Sequence, residues 1–295
     1  MDEDWKENDF VHCVSNENGK EMWFRLSPAR VNPEKAPIFL LLHGHGTTSR
    51  ASLYSEKHWN VICPVDNFGY GGRGSWWTGE DGNLDTSNLL VDVVSKSKEL
   101  LGLSDDVILC IYGSSMGGYG AITNGCILGA NAVYANVPQI KLLGSTYSER
   151  GMKKFFDAVL GSTPDPLYND LNEFIRNFNG EYPLFFICEN RHGQKNYLSE
   201  QAMSIINTFN ELDLNYHLEI VPTKGHNKNL GIREVRALFE KFIPELNYLL
   251  DNPQKPEKRE AKTKTDSIQL EDIELRKILQ EYVRVHALIE NHLKK

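Results

Sequence analysis

The chain has 295 residues, 40% of them hydrophobic and 24% charged, which describes a soluble globular protein with ample length for a sizeable core. Lys and Arg number 32 against 40 Asp and Glu, and the net charge of −8 has the wrong sign for a nucleic-acid surface built on clustered cations. Five cysteines without CxxC spacing, no apolar stretch near the roughly 20 residues of a membrane span, and an acidic N-terminus without a signal-like apolar core lead to the expectation of a cytoplasmic protein without a disulfide framework.

Short apolar runs alternate along the chain with longer amphipathic ones. Phe10–Val14 and Glu21–Leu26, separated by Asn16-Glu17-Asn18-Gly19, read as an opening hairpin. Ile38–Leu42 is continuously apolar, as a strand covered on both faces requires, and Val61–Val65, Val107–Tyr112, Ala132–Ala135, Pro183–Cys188 and Tyr216–Val221 repeat that character. Helical patterns fall at Ser87–Leu101, Met116–Leu128, Tyr197–Leu212 and Ile232–Leu250. This alternation predicts an α/β domain over 1–251 with a mostly parallel sheet and helices on both faces. Residues 142–180, with Pro164 and Pro166 among helical fragments, read as a cap-like insertion. Residues 252–266 mix both charges without a large apolar residue and read as a linker. Residues 267–295 read as a helical extension whose apolar seam (Ile268, Leu275, Ile278, Tyr282, Val285, Ile289) is heptad-like. Two uses of that seam stay open: self-association as a short coiled coil, giving a homo-oligomer, or folding back on the domain.

The most informative stretch is Val107–Ala121, VILCIYGSSMGGYGA. A β-branched run ends at Gly113, a small-residue helix pattern begins after Ser115, and Gly113 and Gly117 stand two residues either side of that serine. A serine on a sharp strand-to-helix turn needs small neighbours at those offsets, and the helix N-terminus behind it favours developing negative charge. Ser114 fails the same test, because its neighbours at those offsets are Tyr112 and Met116. Ser115 is therefore the candidate nucleophile, the alternative being a helix start whose serine serves only as an N-cap.

Ile38–Leu42 runs into His43-Gly44-His45-Gly46, a turn fit to supply a second backbone donor for an oxyanion; the amides of His45 and Met116 are the candidates. A rival reading of His43 and His45 as a metal pair lacks further ligands close by, so no metal and no cofactor is expected. His226, in a Gly-containing loop after Tyr216–Val221, is the candidate base. The carboxylate that would orient it belongs after the Pro183–Cys188 strand, where Glu189 is available, with Asp165 and Asp213 as fallbacks. The alternative for Glu189 is a surface ion pair with Arg191 or Lys195.

Gly69-Tyr70-Gly71-Gly72-Arg73-Gly74 matches a dinucleotide fingerprint letter for letter, yet Ser75 to Gly82 is another loop pattern, so no helix N-terminus awaits a pyrophosphate. The segment reads instead as a long ordered loop. Trp76 and Trp77 are either packing or ligand-stacking residues there, with Tyr70 and Arg73 as further substrate contacts.

With these motifs in order, residues 10–250 resemble the α/β-hydrolase superfamily: GSSMG, HGHG and the late GH match its nucleophile, oxyanion and base motifs, while the acid departs from the usual pattern. DNFGYGGRGSWWTGEDG, GSSMGGYGA and ANVPQ are together similar to bacterial serine hydrolases linked to surface glycans, among them sugar O-acetyltransferases and esterases. That resemblance implies an acyl-serine intermediate, with a saccharide or small-molecule ester as substrate. The competing class is a non-catalytic glycan-binding or scaffold protein that keeps the fold.

Overall fold

A computed structural model describes residues 4–246, apart from 47, 49, 228 and 245. The linker and C-terminal helix expected over 252–295 lie outside the described residues, as does the self-association expected of them. Eight strands form one sheet: β1 (Val11–Ser15), β2 (Glu21–Ser27), β3 (Ile38–Leu42), β4 (Asn60–Pro64), β5 (Leu109–Ser114), β6 (Ala132–Asn136), β7 (Leu184–His192) and β8 (Tyr216–Lys224). Their order is β1-β2-β4-β3-β5-β6-β7-β8; β2 pairs antiparallel with β1 and β4, and every other neighbouring pair is parallel. The parallel architecture read from the alternation is therefore the observed one. The central strands β3, β4 and β6 are buried at every residue, as their unbroken apolar runs demand.

Between the strands lie α1 (Asp85–Leu101), α2 (Met116–Ile127), α3 (Lys153–Leu160), α4 (Pro166–Asn169), α5 (Leu171–Asn177), α6 (Tyr197–Glu200), α7 (Ala202–Glu211) and α8 (Ile232–Phe242). Residues of α1, α2, α3, α5 and α7 bury one apolar cluster with Leu40, Ile111 and Ile187 of the sheet. Val235 and Phe239 of α8 bury the other with Phe39, Cys110 and Phe186. Side-chain alternation along the strands sends these two sets to opposite faces, so helices cover both.

Two expected helices are corrected. The pattern over Tyr197–Leu212 is two helices, because the chain breaks at Gln201 (φ −107°, ψ −89°), whose buried side chain accepts the amides of Ile140 and Lys141 at 2.6 and 2.8 Å. The last helix is interrupted after Phe242: Ile243 precedes Pro244, and a residue before proline is pushed out of the helical region; Pro244 and Leu246 are helical again, and 247–250 lie outside the described residues. Three helices, α3 to α5, occupy the expected insertion and contribute Phe155, Phe156, Leu171 and Ile175 to the core.

Candidate active site

Ser115 stands between β5 and α2 with φ 58° and ψ −116°, a conformation that costs a non-glycine residue of order 1–3 kcal/mol. Its amide donates to the Asn136 carbonyl at 2.9 Å, and its own carbonyl accepts from Tyr119 at 3.0 Å, opening the helix directly behind it. The glycines around it answer to backbone contact. A Cβ at Gly113 would lie 1.8 Å from the Gly117 carbonyl oxygen, and one at Gly117 would lie 2.3 Å from the Leu42 oxygen. At Gly44, in the loop after β3, the fit is looser: a Cβ there would lie 3.1 Å from the Ser114 oxygen. Ser115 is only partly buried, so its hydroxyl is not sealed in the interior.

His226 comes to this hydroxyl from the β8–α8 loop, 111 residues downstream, with Nε2 2.7 Å from Ser115 Oγ. The neighbouring Asn190 ties that loop down: its Nδ2 donates to the carbonyls of Gly225 and Asn227 at 3.0 Å each, and its Oδ1 accepts from the Thr223 hydroxyl. The imidazole is flanked by a stacked Tyr147 ring at 5.8 Å and an edge-on Tyr197 ring at 5.1 Å. Burial lowers its pKa to about 4, so at neutral pH the ring is uncharged and Nε2 is free to accept the Ser115 proton.

Glu189 is not joined to this pair by a hydrogen bond. β7 runs on to His192, which places Glu189 inside the strand opposite Ile220, on the same side of the sheet as Ile187. It is 1% exposed, so the surface ion pair with Arg191 or Lys195 does not form. Oε1 accepts from the Asn190 amide at 2.8 Å, while Oε2 has no hydrogen-bond partner among the described residues. Burial raises the carboxyl to about 8, and its charge in turn adds to the burial that holds the Tyr197 phenol well above its ordinary value. Among the described residues the second imidazole nitrogen, Nδ1 of His226, has no acceptor. Neither fallback acid approaches the site. Asp165 caps α4 through the Leu167 amide at 2.9 Å, and Asp213 sits in the turn before β8, at the end of the sheet opposite Ser115.

No family model and no curated protein matches the sequence. Solved structures do resemble the model. An S-formylglutathione hydrolase from Agrobacterium tumefaciens aligns with a TM-score of 0.56 at 17% identity over 82% of this chain and 94% of that one. The capsule O-acetyltransferase of Neisseria meningitidis serogroup A aligns at 0.55 and 16% over 79% and 93%. Porphyromonas gingivalis dipeptidyl peptidase 4 aligns at 0.55 and 17%, covering 80% or more of this chain but only 35% of that enzyme, so this chain spans about a third of its length. With the strand order and the serine turn already described, these likenesses decide the architecture. The chain has the α/β-hydrolase fold.

In an α/β-hydrolase fold the loop after β3 faces the nucleophile turn, and here it is built around a neutral His43. Nδ1 of His43 donates to the Gly44 carbonyl at 2.8 Å and Nε2 accepts the Asp66 amide at 2.9 Å. Both nitrogens are thus engaged within the protein, which leaves His43 unable to ligate a metal with His45. Among the described residues no group of three His, Cys, Asp or Glu side chains is placed to hold a metal ion. The amides of His45 and Met116, the two proposed oxyanion donors, have no acceptor among the described residues, whereas the Gly46 amide is already committed to the Arg73 carbonyl at 3.1 Å.

The two tryptophans are a correction. Trp76 and Trp77 have 0% exposure, so neither ring contacts a ligand from solvent in this conformation. Both hold positive φ (56° and 60°), and their indoles serve the site from behind: Trp77 Nε1 donates to the His43 carbonyl at 3.2 Å and Trp76 Nε1 to Gln139 Oε1 at 3.1 Å. Tyr70 and Arg73 are exposed instead. Tyr70 leans edge-on against Phe155 at 5.5 Å, and Phe155 packs on the His45 ring at 4.5 Å, so the expected loop residues border the oxyanion turn. The glycine loop contains only a three-residue 3₁₀ turn, Tyr70–Gly72, and no helix N-terminus for a pyrophosphate. Gln139, the last residue of the ANVPQ run, was assigned no role from the sequence: its Nε2 lies 2.8 Å from Ser115 Oγ.

Proposed function

We propose that this protein is a serine-dependent acyl-ester enzyme, a carboxylesterase or an O-acetyltransferase acting through an acyl-serine on an acylated glycan. The observation that carries the reading is Ser115 Oγ, on a strained turn, at 2.7 Å from Nε2 of a neutral, half-buried His226. His226 Nε2 takes the hydroxyl proton as Oγ bonds to the acyl carbon, and the carbonyl electron pair moves to the oxygen facing the His45 and Met116 amides. Collapse expels the alkoxide, which takes the proton back from the imidazolium. Water or a sugar hydroxyl then attacks the acyl-serine, its proton passing to His226, and Ser115 is restored. Glu189 is the carboxylate assigned to the imidazolium, being buried, next to Tyr197 and half unpaired.

The glycan part of the reading draws support from the fold likeness to a capsule O-acetyltransferase and from the exposed Tyr70 ring with Lys154 at 5.0 Å, a surface suited to a sugar face. One observation favours a second reading, a glycan-binding protein without turnover: among the described residues Nδ1 of His226 lacks the acceptor a triad supplies. A fluorophosphonate probe separates the two. We expect covalent labelling of the native protein and a loss on the order of 10⁴-fold or more in Ser115→Ala, with parallel loss of aryl-acetate hydrolysis. A cooperatively folded native protein that takes no label fits only the binding reading.

A further inference from the structure

Gln139 follows β6 in the sequence Asn136-Val137-Pro138-Gln139, and it is completely buried. The chain gets there through Val137 at φ 43°, a left-handed conformation that a β-branched residue adopts only when its surroundings force it. The Val137 amide donates to the Cys188 carbonyl at 2.7 Å, which fixes the bend. The amide group of Gln139 then meets three side chains. Oε1 accepts from Trp76 Nε1 at 3.1 Å, while Nε2 reaches Ser115 Oγ at 2.8 Å and the Tyr197 hydroxyl at 3.0 Å.

The orientation of that amide follows from donor chemistry. An indole nitrogen only donates, so the atom facing Trp76 must be the Gln139 oxygen. The Tyr197 hydroxyl sends its single proton toward the carbonyls of Val137 and Pro138, at 3.0 and 3.1 Å, and so accepts from Gln139. One Nε2 hydrogen is spent on Tyr197 and the other is directed at the serine oxygen. Ser115 therefore receives a donor on one side, and its own proton is directed to His226 on the other.

Three residues with positive φ meet at this point: Ser115 (58°), Trp76 (56°) and Val137 (43°). They come from the end of β5, the loop after β4 and the end of β6, and each positions one member of the Trp76–Gln139–Ser115 chain. Strain concentrated on one hydrogen-bonded chain is what a functional constraint produces.

We infer that Gln139 is a further catalytic residue, whose Nε2–H stabilises negative charge on Ser115 Oγ whenever that oxygen is losing or regaining its proton. The inference rests on Ser115 being the nucleophile. No bond to Gln139 changes: the Oγ proton passes to His226 Nε2 on attack and returns from it when the acyl–oxygen bond breaks, and the amide only donates throughout. Trp76 is the positioning residue, since its indole prevents the amide from turning its oxygen to the serine.

The test is the fluorophosphonate labelling rate of the full chain between pH 5.5 and 8. Gln139→Met keeps the volume without a donor and is expected to lower the rate roughly 10- to 100-fold. Gln139→Glu presents an acceptor when ionised and a donor when protonated, so it is expected to be slow at pH 8 and to recover toward pH 5.5, which a packing role does not produce. Trp76→Phe leaves Gln139 in place but frees its amide to turn, and is expected to lose several-fold; it serves where the Gln139 variants do not fold. Wild-type labelling rates in Gln139→Met, or slow labelling of Gln139→Glu that stays slow at pH 5.5, overturn the inference while Ser115 remains the nucleophile. An unlabelled wild-type protein overturns the nucleophile reading and the inference with it.

Discussion

Two buried carboxyl groups accompany His43 and His226 around Ser115, the candidate nucleophile, and they are treated in opposite ways. Asp66 accepts the amides of Phe68, Ser75 and Trp77 at 3.3, 2.8 and 3.1 Å, with the Ser75 hydroxyl at 3.0 Å. Glu189 accepts one amide and leaves an oxygen idle. His43, beside Asp66, has both nitrogens bonded; His226, on the Glu189 side, offers only Nε2 to a partner. A fully satisfied group rigidifies its surroundings, whereas an incompletely satisfied one holds a cost that another process can recover. Asp66 thus builds the loop that carries the two positive-φ tryptophans, whereas Glu189 has one oxygen without a partner among the described residues.

The largest effect expected from this contrast is on stability. Asp66→Ala strands the Ser75 and Trp77 amides in the interior and should cost about 3 kcal/mol or more in a denaturant titration. A loss below about 1 kcal/mol would erase the distinction between the two carboxyls. Glu189→Gln should do the reverse. The folded-state pKa of Glu189 is raised from 4.5 to about 8, so the folded protein holds the proton more tightly than the unfolded chain. Its contribution to stability is then greatest below pH 4.5 and declines as pH rises to 8, by roughly 3 kcal/mol or more. In Glu189→Gln that decline should vanish while ester turnover drops on the order of 10²-fold. Unchanged turnover would leave the idle oxygen without a catalytic use. The smallest effect is on the pH profile of the wild-type protein. With the His226 pKa lowered to about 4 by burial, labelling should fall on acidification with a midpoint near 4. A midpoint near 6.5 would mean that the imidazole is solvated or paired with an ionised carboxylate.

The sheet was legible because β3 to β6 are covered on both faces and their apolar runs have no competing explanation. The serine turn was legible because its glycines are demanded by backbone contact. Legibility stopped where polar residues do interior work. Past Cys188 the sequence Glu189-Asn190-Arg191-His192 looks like a loop, yet β7 continues through it, pairing with β8 across a register shift between Asn190 and His192. Asn190, which anchors the His226 loop, was hidden for the same reason. Trp76 and Trp77 stood open between packing and ligand stacking because their loop is rich in glycine, and nothing local announces that Asp66 draws the loop inward. Gln139 ends the ANVPQ run, but nothing in that run says which side chain it meets. Its role depends on Val137 bending the chain, and a β-branched residue in that conformation is the one that propensity argues against.

The close approaches at Gly113 and Gly117 also bear on how such chains diverge. Both glycines abut main-chain oxygens that every copy of this architecture must keep, whereas the Ser115 hydroxyl carries no part of that packing. A descendant that abandoned chemistry would be free to shed the oxygen long before it could fill either gap. Replacing the Ser115 hydroxyl would therefore leave this packing intact, whereas a side chain at either glycine would push the main chain apart.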